Sequence, residues 1–206
     1  MQLSEISLYL FIFLTVYLGI LTIDILYKAF KSESEKRVYL YGIAFFTILY
    51  MLCRILLIIN TVGEYDPHSS FYIWASFFAA LGVFGLMFAV EKYIYQKFKF
   101  IPSICVLIFS LMILIFPAYE ETNLVTYWVI LATSFAFLIP ILYLKVGLRA
   151  SGEVRKKSLY SAFGILTFLL GNGMNTGVLT ESIPIFLIFA PITMFIGLFL
   201  FRLGLK

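Results

Sequence analysis

Seven apolar runs, each ended by a short polar break, constrain this sequence more than any other feature. They fall at Leu8–Phe30, Val38–Asn60, Phe71–Tyr95, Phe100–Pro117, Leu124–Leu148, Ser158–Leu179 and Ile183–Phe201. A helix rises about 1.5 Å per residue and the hydrocarbon core is about 30 Å thick, so about 20 residues make one crossing. In a chain of 206 residues, seven crossings leave no room for a water-soluble domain. Composition agrees, because 63% apolar and 13% charged residues cannot clothe a surface that faces water. The expected fold class is all-α: one polytopic bundle of seven transmembrane helices over residues 1–206, multi-pass in a cell membrane.

Orientation follows from the placement of Lys and Arg in alternate connections. One side carries Lys28, Lys31, Lys36 and Arg37, then Lys92, Lys97 and Lys99, then Lys145, Arg149, Arg155, Lys156 and Lys157, and last Arg202 and Lys206, fourteen of the fifteen basic residues. The other side carries none, and holds Glu5, Glu64, Asp66, Glu120, Glu121 and Glu181. Dropping or merging one crossing would scramble this split. The expectation is an N-terminus outside and a C-terminus in the cytoplasm. A net charge of +4 is thereby assigned to topology and excludes a nucleic-acid partner; the lipid bilayer is the principal one. Glu5 is the only charge in Met1–Ser7, so the first run reads as a retained helix and not a signal peptide.

Aromatic and small residues fill in the bundle. Most tyrosines fall near predicted helix ends, and Trp74 and Trp128 open two helices on the outer side, where amphipathic rings rest at headgroup level. Ala75, Ala79, Gly82 and Ala89 form a stripe on the third helix, which predicts a central position; Gly164, Gly171, Gly173 and Gly177 permit close approach by the sixth. Pro140 and Pro191 should kink the fifth and seventh helices. Cys53 and Cys105 lie in apolar runs and read as small buried hydrophobes. Ile25-Leu26-Tyr27 recurs as Ile141-Leu142-Tyr143, an echo that would fit a parallel three-plus-one-plus-three repeat.

Arg54 is the ionisable residue hardest to explain as topology. It falls well inside the second run, in the outer half of the membrane, where a charge must face the bundle and find acceptors. Tyr50, Asn60, Asn172 and Asn175 are the candidates at similar depth, and together they predict a polar pocket for an anionic or carbonyl-bearing ligand arriving from outside. A structural polar network between the second and sixth helices is the plainer alternative. Nearer the cytoplasm, Asp24, Lys28, Glu91, Lys92 and Arg202 form a candidate ionic rim, with Asp24 and Lys28 at the i,i+4 spacing of a helical pair. This rim is either a static interfacial network or an ionic lock that differs between two states.

Catalytic chemistry finds little material. The one histidine, His68, lies in Glu64-Tyr65-Asp66-Pro67-His68, which reads as a solvated turn before it reads as a cation site. No His pair for a metal, no intramembrane base and no cofactor are expected. Ile183–Phe201 contains no lysine, which disfavours a retinal Schiff base.

Three features of the last fifty residues carry a family resemblance. Arg155-Lys156-Lys157 opens the sixth helix, Asn172 and Asn175 lie in its outer half, and the seventh ends Gly197-Leu198-Phe199-Leu200-Phe201-Arg202-Leu203. With the predicted polarity, the chain resembles the seven-helix N-terminal sensing region of prokaryotic membrane histidine kinases. In that family the seventh helix continues into cytoplasmic signalling domains, whereas this sequence stops at Lys206. The resemblance implies a stand-alone receptor or sensor without kinase activity, signalling through a cytoplasmic or membrane protein partner. The rival expectations are a small-solute or ion transporter, motivated by the weak repeat, and a structural subunit of a membrane complex.

Overall fold

A computed structural model describes residues 3–63, 69–115, 124–175 and 177–206. Among these the chain is helical with no strand. The helices are α1 (Leu3–Lys31), α2 (Ser34–Val62), α3 (Ser70–Tyr93), α4 (Ile101–Ile115), α5 (Leu124–Ala136), α6 (Leu138–Arg149), α7 (Gly152–Met174), α8 (Gly177–Ser182) and α9 (Phe186–Gly204), with a 3-10 turn at Gln96–Phe98. Among the described residues, five helical stretches are long and apolar enough to cross a membrane: Leu3–Lys31, Lys36–Val62, Ser70–Tyr93, Tyr127–Arg149 and Phe186–Gly204. The protein is therefore a helical bundle of multi-pass membrane type.

The remaining two apolar runs also lie on helix. The described part of the fourth run, α4, is 15 residues long, and α7 carries several charged and amide side chains.

Two of the runs depart from a simple rod, each for a local reason. The fifth breaks at Phe137, between α5 and α6. Pro140 has no N–H for the Ala136 carbonyl and its ring crowds that same oxygen, so the helix gives way there. The sixth run, expected to reach Leu179, stops as α7 at Met174; Asn175 caps it by donating its N–H to the Asn172 and Gly173 carbonyls. Gly171 and Gly173 are poor helix formers in its last turn, and α8 restarts at Gly177. Pro191, by contrast, sits inside an unbroken α9. The turn before it is already 3-10 in character, with Leu187 N–H on the Pro184 carbonyl and Ile188 N–H on the Ile185 carbonyl, both at 3.1 Å.

The chain divides into two compact units. The first comprises Met1–Tyr17 and Phe137–Lys206, the second Leu18–Ala136.

In the second unit α3 packs against α2, α4 and α5, the central position expected from its small residues. Ala75, Gly82 and Ala89 are buried, seven residues apart on one stripe, while Ala79 is half-buried. Gly42 of α2 meets Ala89, and Gly82 of α3 meets Phe46 and Leu49. The second half of α1 joins α2 through larger groups. Thr22 Oγ1 donates to Thr47 Oγ1 at 2.8 Å in a buried contact, and Phe30 and Tyr41 meet edge to face. A buried hydroxyl pair of this kind contributes about 0.6 kcal/mol in a membrane bundle.

In the first unit α7 and α9 run antiparallel at backbone contact. Gly171 meets Ala190 and Met194, Gly164 meets Gly197 and Phe201, and Gly204 meets Lys157 and Ser161. Small residues thus recur every seven positions on both helices, which keeps one seam facing the partner. Phe13 and Tyr17 of α1 meet Phe195 of α9 in tilted ring contacts, with centroids at 5.4 and 4.6 Å.

The two triplets that echo each other in sequence are not equivalent in burial. Ile25 is buried and Tyr27 exposed, whereas Ile141 is exposed and Tyr143 buried. Their shared letters face opposite environments.

Candidate functional site

α2 places Arg54 eight residues before its C-terminal end at Val62, a depth of about 12 Å along the axis. The side chain is only 3% exposed in a helix that otherwise reads as a membrane span. Tyr50 lies one turn earlier on the same face. Its hydroxyl oxygen accepts from Arg54 Nε at 3.1 Å and from Nη2, and the guanidinium carbon lies 4.9 Å from the ring centroid. Phe46 stacks on Tyr50 at 5.8 Å, continuing the stripe by a further turn. Cys53 is buried beside them, as expected of a small hydrophobe.

Local spacing builds this arrangement. Residues four apart share a helix face, so Phe46, Tyr50 and Arg54 form a ladder of two rings and a cation. A guanidinium stays charged under all ordinary conditions and carries five N–H donors, so it must be held by acceptors wherever lipid excludes water. Tyr50 supplies a neutral oxygen to two of those donors.

Asn60, expected in the same pocket, has a structural task at the α2–α3 corner. Ser69 Oγ donates to Asn60 Oδ1 and accepts from Tyr72 N–H at 3.4 Å, so Ser69 caps α3 while tied to α2. Asn172 and Asn175 belong to the first unit, whereas Arg54, Tyr50 and Asn60 belong to the second. α7 ends between Asn172 and Asn175, and Asn175 is its C-terminal cap.

The candidate rim divides into separate local contacts. Asp24 and Lys28 form the expected i,i+4 ion pair at 3.2 Å. Glu91 and Lys92, adjacent in sequence, point about 100° apart around α3. Lys92 lies over the rings of Phe88 and Tyr93, at 6.0 and 5.6 Å, while Glu91 is 1% exposed. Its Oε2 accepts from Ser103 N–H at 3.3 Å and from Ser103 Oγ; among the described residues its Oε1 has no hydrogen-bond partner. Glu91 is thus a cap for the first turn of α4, reached across a tight connection in which Lys99 and Phe100 both take positive φ, 49° and 63°. Phe100 is held there by stacking on Phe88 at 5.1 Å. Arg202 is half-buried in the last turn of α9, within the first unit.

Sequence reasoning did not find Ser103, Thr22 with Thr47, or the small-residue positions Gly197 and Gly204. The glycines had a readable signal in their heptad spacing. Glu91 and Ser103 are twelve residues apart across a turn, and no local pattern joins them. The expected outer turn from Glu64 to His68 lies outside the described residues. Among those described, no cluster of three or more His, Cys, Asp or Glu could hold a metal ion.

No family model, no curated protein and no solved structure matches the chain.

Proposed function

We propose that this chain is a seven-crossing membrane receptor of the sensing type, N-terminus outside and C-terminus in the cytoplasm, without catalysis of its own. Its ligand is anionic or carbonyl-bearing and engages the Arg54–Tyr50 pair from the outer side. Burial of Arg54 to 3% exposure within an apolar span is the observation that carries this reading. An Arg near the centre of a crossing costs about 2.5–3.5 kcal/mol on insertion scales, which makes such a residue a functional candidate by default. The segregation of fourteen basic residues to one set of connections supports the crossing count and the orientation.

Signalling requires the ligand to favour one arrangement of the helices over another. The α3–α4 corner, with its buried Glu91 carboxylate and two strained residues, is the element in the same unit best suited to differ between states. A separate cytoplasmic or membrane protein reads the change.

The test is thermal unfolding of detergent-purified protein against succinate, glutamate, inorganic phosphate and short-chain fatty acids. At least one of these is expected to raise the midpoint for wild type and for Arg54→Lys, and to leave Arg54→Met unmoved. Equal stabilisation of wild type and Arg54→Met would remove the site from Arg54. Gradient-driven flux of the same compound through proteoliposomes would replace the receptor with a transporter.

A further inference from the structure

We propose that the corner between α6 and α7 binds the headgroup of an anionic phospholipid through Arg149, Arg155 and Lys156. α6 ends at Arg149 and α7 begins at Gly152, with only Ala150 and Ser151 between them. Both of these are extended, and Gly152 takes φ +60°, a backbone that favours glycine. Just before the turn, Gly147 lets α6 close on Leu159 of α7. The corner therefore sets the last turn of α6 beside the first turns of α7 and gathers the three cations there.

All three side chains are exposed, and among the described residues none has a hydrogen bond or an ion pair. The α1–α2 corner is different, although it is also rich in basic residues. There Lys28 is paired with Asp24, Lys31 lies on Tyr27, and Arg37 donates from both Nε and Nη2 to the Ser32 carbonyl, which leaves Lys36 alone, among the described residues, without such a contact. At the α6–α7 corner the one acidic side chain, Glu153, is already paired with Lys157 at 3.2 Å. Three positive charges are left uncompensated.

The same corner exposes large apolar side chains beside the charges, Leu148 at 75% and Val154 at 58%. Cations interleaved with exposed apolar groups suit the membrane interface, where the apolar groups enter the acyl layer and the cations meet phosphate. A lipid phosphodiester offers paired oxygens to a planar guanidinium, and an anionic headgroup brings a net charge that zwitterionic lipid lacks.

This inference rests on the multi-pass membrane reading alone. It requires neither the Arg54 site nor the assigned orientation, because in detergent both ends of the protein are open.

The experiment is native mass spectrometry of the full chain with equimolar phosphatidylglycerol and phosphatidylcholine. Wild type is expected to retain phosphatidylglycerol at least about fivefold over phosphatidylcholine, with the preference shrinking between about 50 and about 500 mM salt. The variant Arg149→Gln/Arg155→Gln/Lys156→Gln is expected to lose the preference. Lys28→Gln/Lys31→Gln/Arg37→Gln, which removes the same charge from the other corner, is expected to keep it. If the first triple variant is not monodisperse, Lys156→Glu alone is expected to cut the preference at least about twofold.

No preference in wild type, or equal loss in both triple variants, would overturn the proposal. Inorganic phosphate or polyglutamate displacing the lipid at equal concentration would overturn it in favour of a free phosphate or an acidic protein segment.

Discussion

The α7–α9 and α2–α3 pairs are both antiparallel, both glycine-rich, and built for different tolerances. In α7–α9 a methyl group on Gly164 would lie 2.8 Å from the Gly197 carbonyl oxygen and the Phe201 Cα, and one on Gly171 would lie 2.8 Å from the Met194 nitrogen. These are backbone atoms and cannot rotate away. In α2–α3 a methyl group on Gly85 would run into the Phe45 ring, the tightest point, and one on Gly42 would lie 2.5 Å from the Ala89 methyl, whereas Gly82 has only ordinary contacts at 3.4–3.5 Å. One seam is backbone on backbone at Gly164, Gly171 and Gly197; the other is mostly glycine against a side chain. Without a hydrophobic drive between helices in lipid, close packing of the first kind stabilises a pair through many dispersion contacts, and it leaves no slack.

Substitution tests this contrast directly. Gly164→Ala and Gly197→Ala should each destabilise the protein by about 3 kcal/mol, the upper end for overpacking, because the helices must separate. Denaturant unfolding in detergent, followed by circular dichroism, checks this; a cost of less than about 1 kcal/mol for both would break the claim that the seam has no give.

Gly85→Ala should cost less, about 1 kcal/mol, because Phe45 is 40% exposed and its ring can turn outward. The same unfolding measurement, repeated with Phe45→Ala as background, should bring the cost of Gly85→Ala close to zero. A cost unchanged by that background would place the strain in the backbone and erase the distinction between the pairs.

Gly82→Ala should have the smallest effect. Its contacts are at ordinary van der Waals distance, and the helix-propensity gain of about 0.8–1 kcal/mol offsets any crowding. Thermal midpoints within experimental scatter of wild type, or slightly above, are expected; a large loss would show that α2 and α3 approach as closely as α7 and α9.

Much of the bundle is readable before any coordinates. Apolar run length predicts the five long apolar stretches, Pro140 predicts an irregularity in the fifth run, and Ala75, Gly82 and Ala89 predict that α3 is central within its unit. These features are local or periodic, and a helix keeps its hydrogen bonds within itself. The ends were less readable. Asn175 falls at a cap because Gly171 and Gly173 weaken the helix before it, and that balance depends on where packing against α9 begins and ends.

The candidate site shows the same division. Tyr50 and Arg54 meet because four residues separate them on one helix, as do Asp24 and Lys28. Asn60 was assigned by depth to a pocket, yet its amide serves the cap of α3 through Ser69. Glu91 was assigned to an ionic rim beside Lys92, yet it is buried against the start of α4. Depth along an axis is legible in a sequence; direction around the axis is not, until the neighbours are known.

By itself, the sequence determined that this protein is helical and of multi-pass membrane type, with its long apolar stretches where the apolar runs fall. Those outcomes follow from the bilayer's thickness and from backbone hydrogen bonding that each segment satisfies alone. Only the tertiary structure decided that Gly164 meets Gly197, that Glu91 caps α4, and that Arg149, Arg155 and Lys156 stand free at one corner while Lys28, Lys31 and Arg37 are engaged at another. The first two depend on which faces of separate helices meet, and the contact energy of paired surfaces cannot be read from either segment alone.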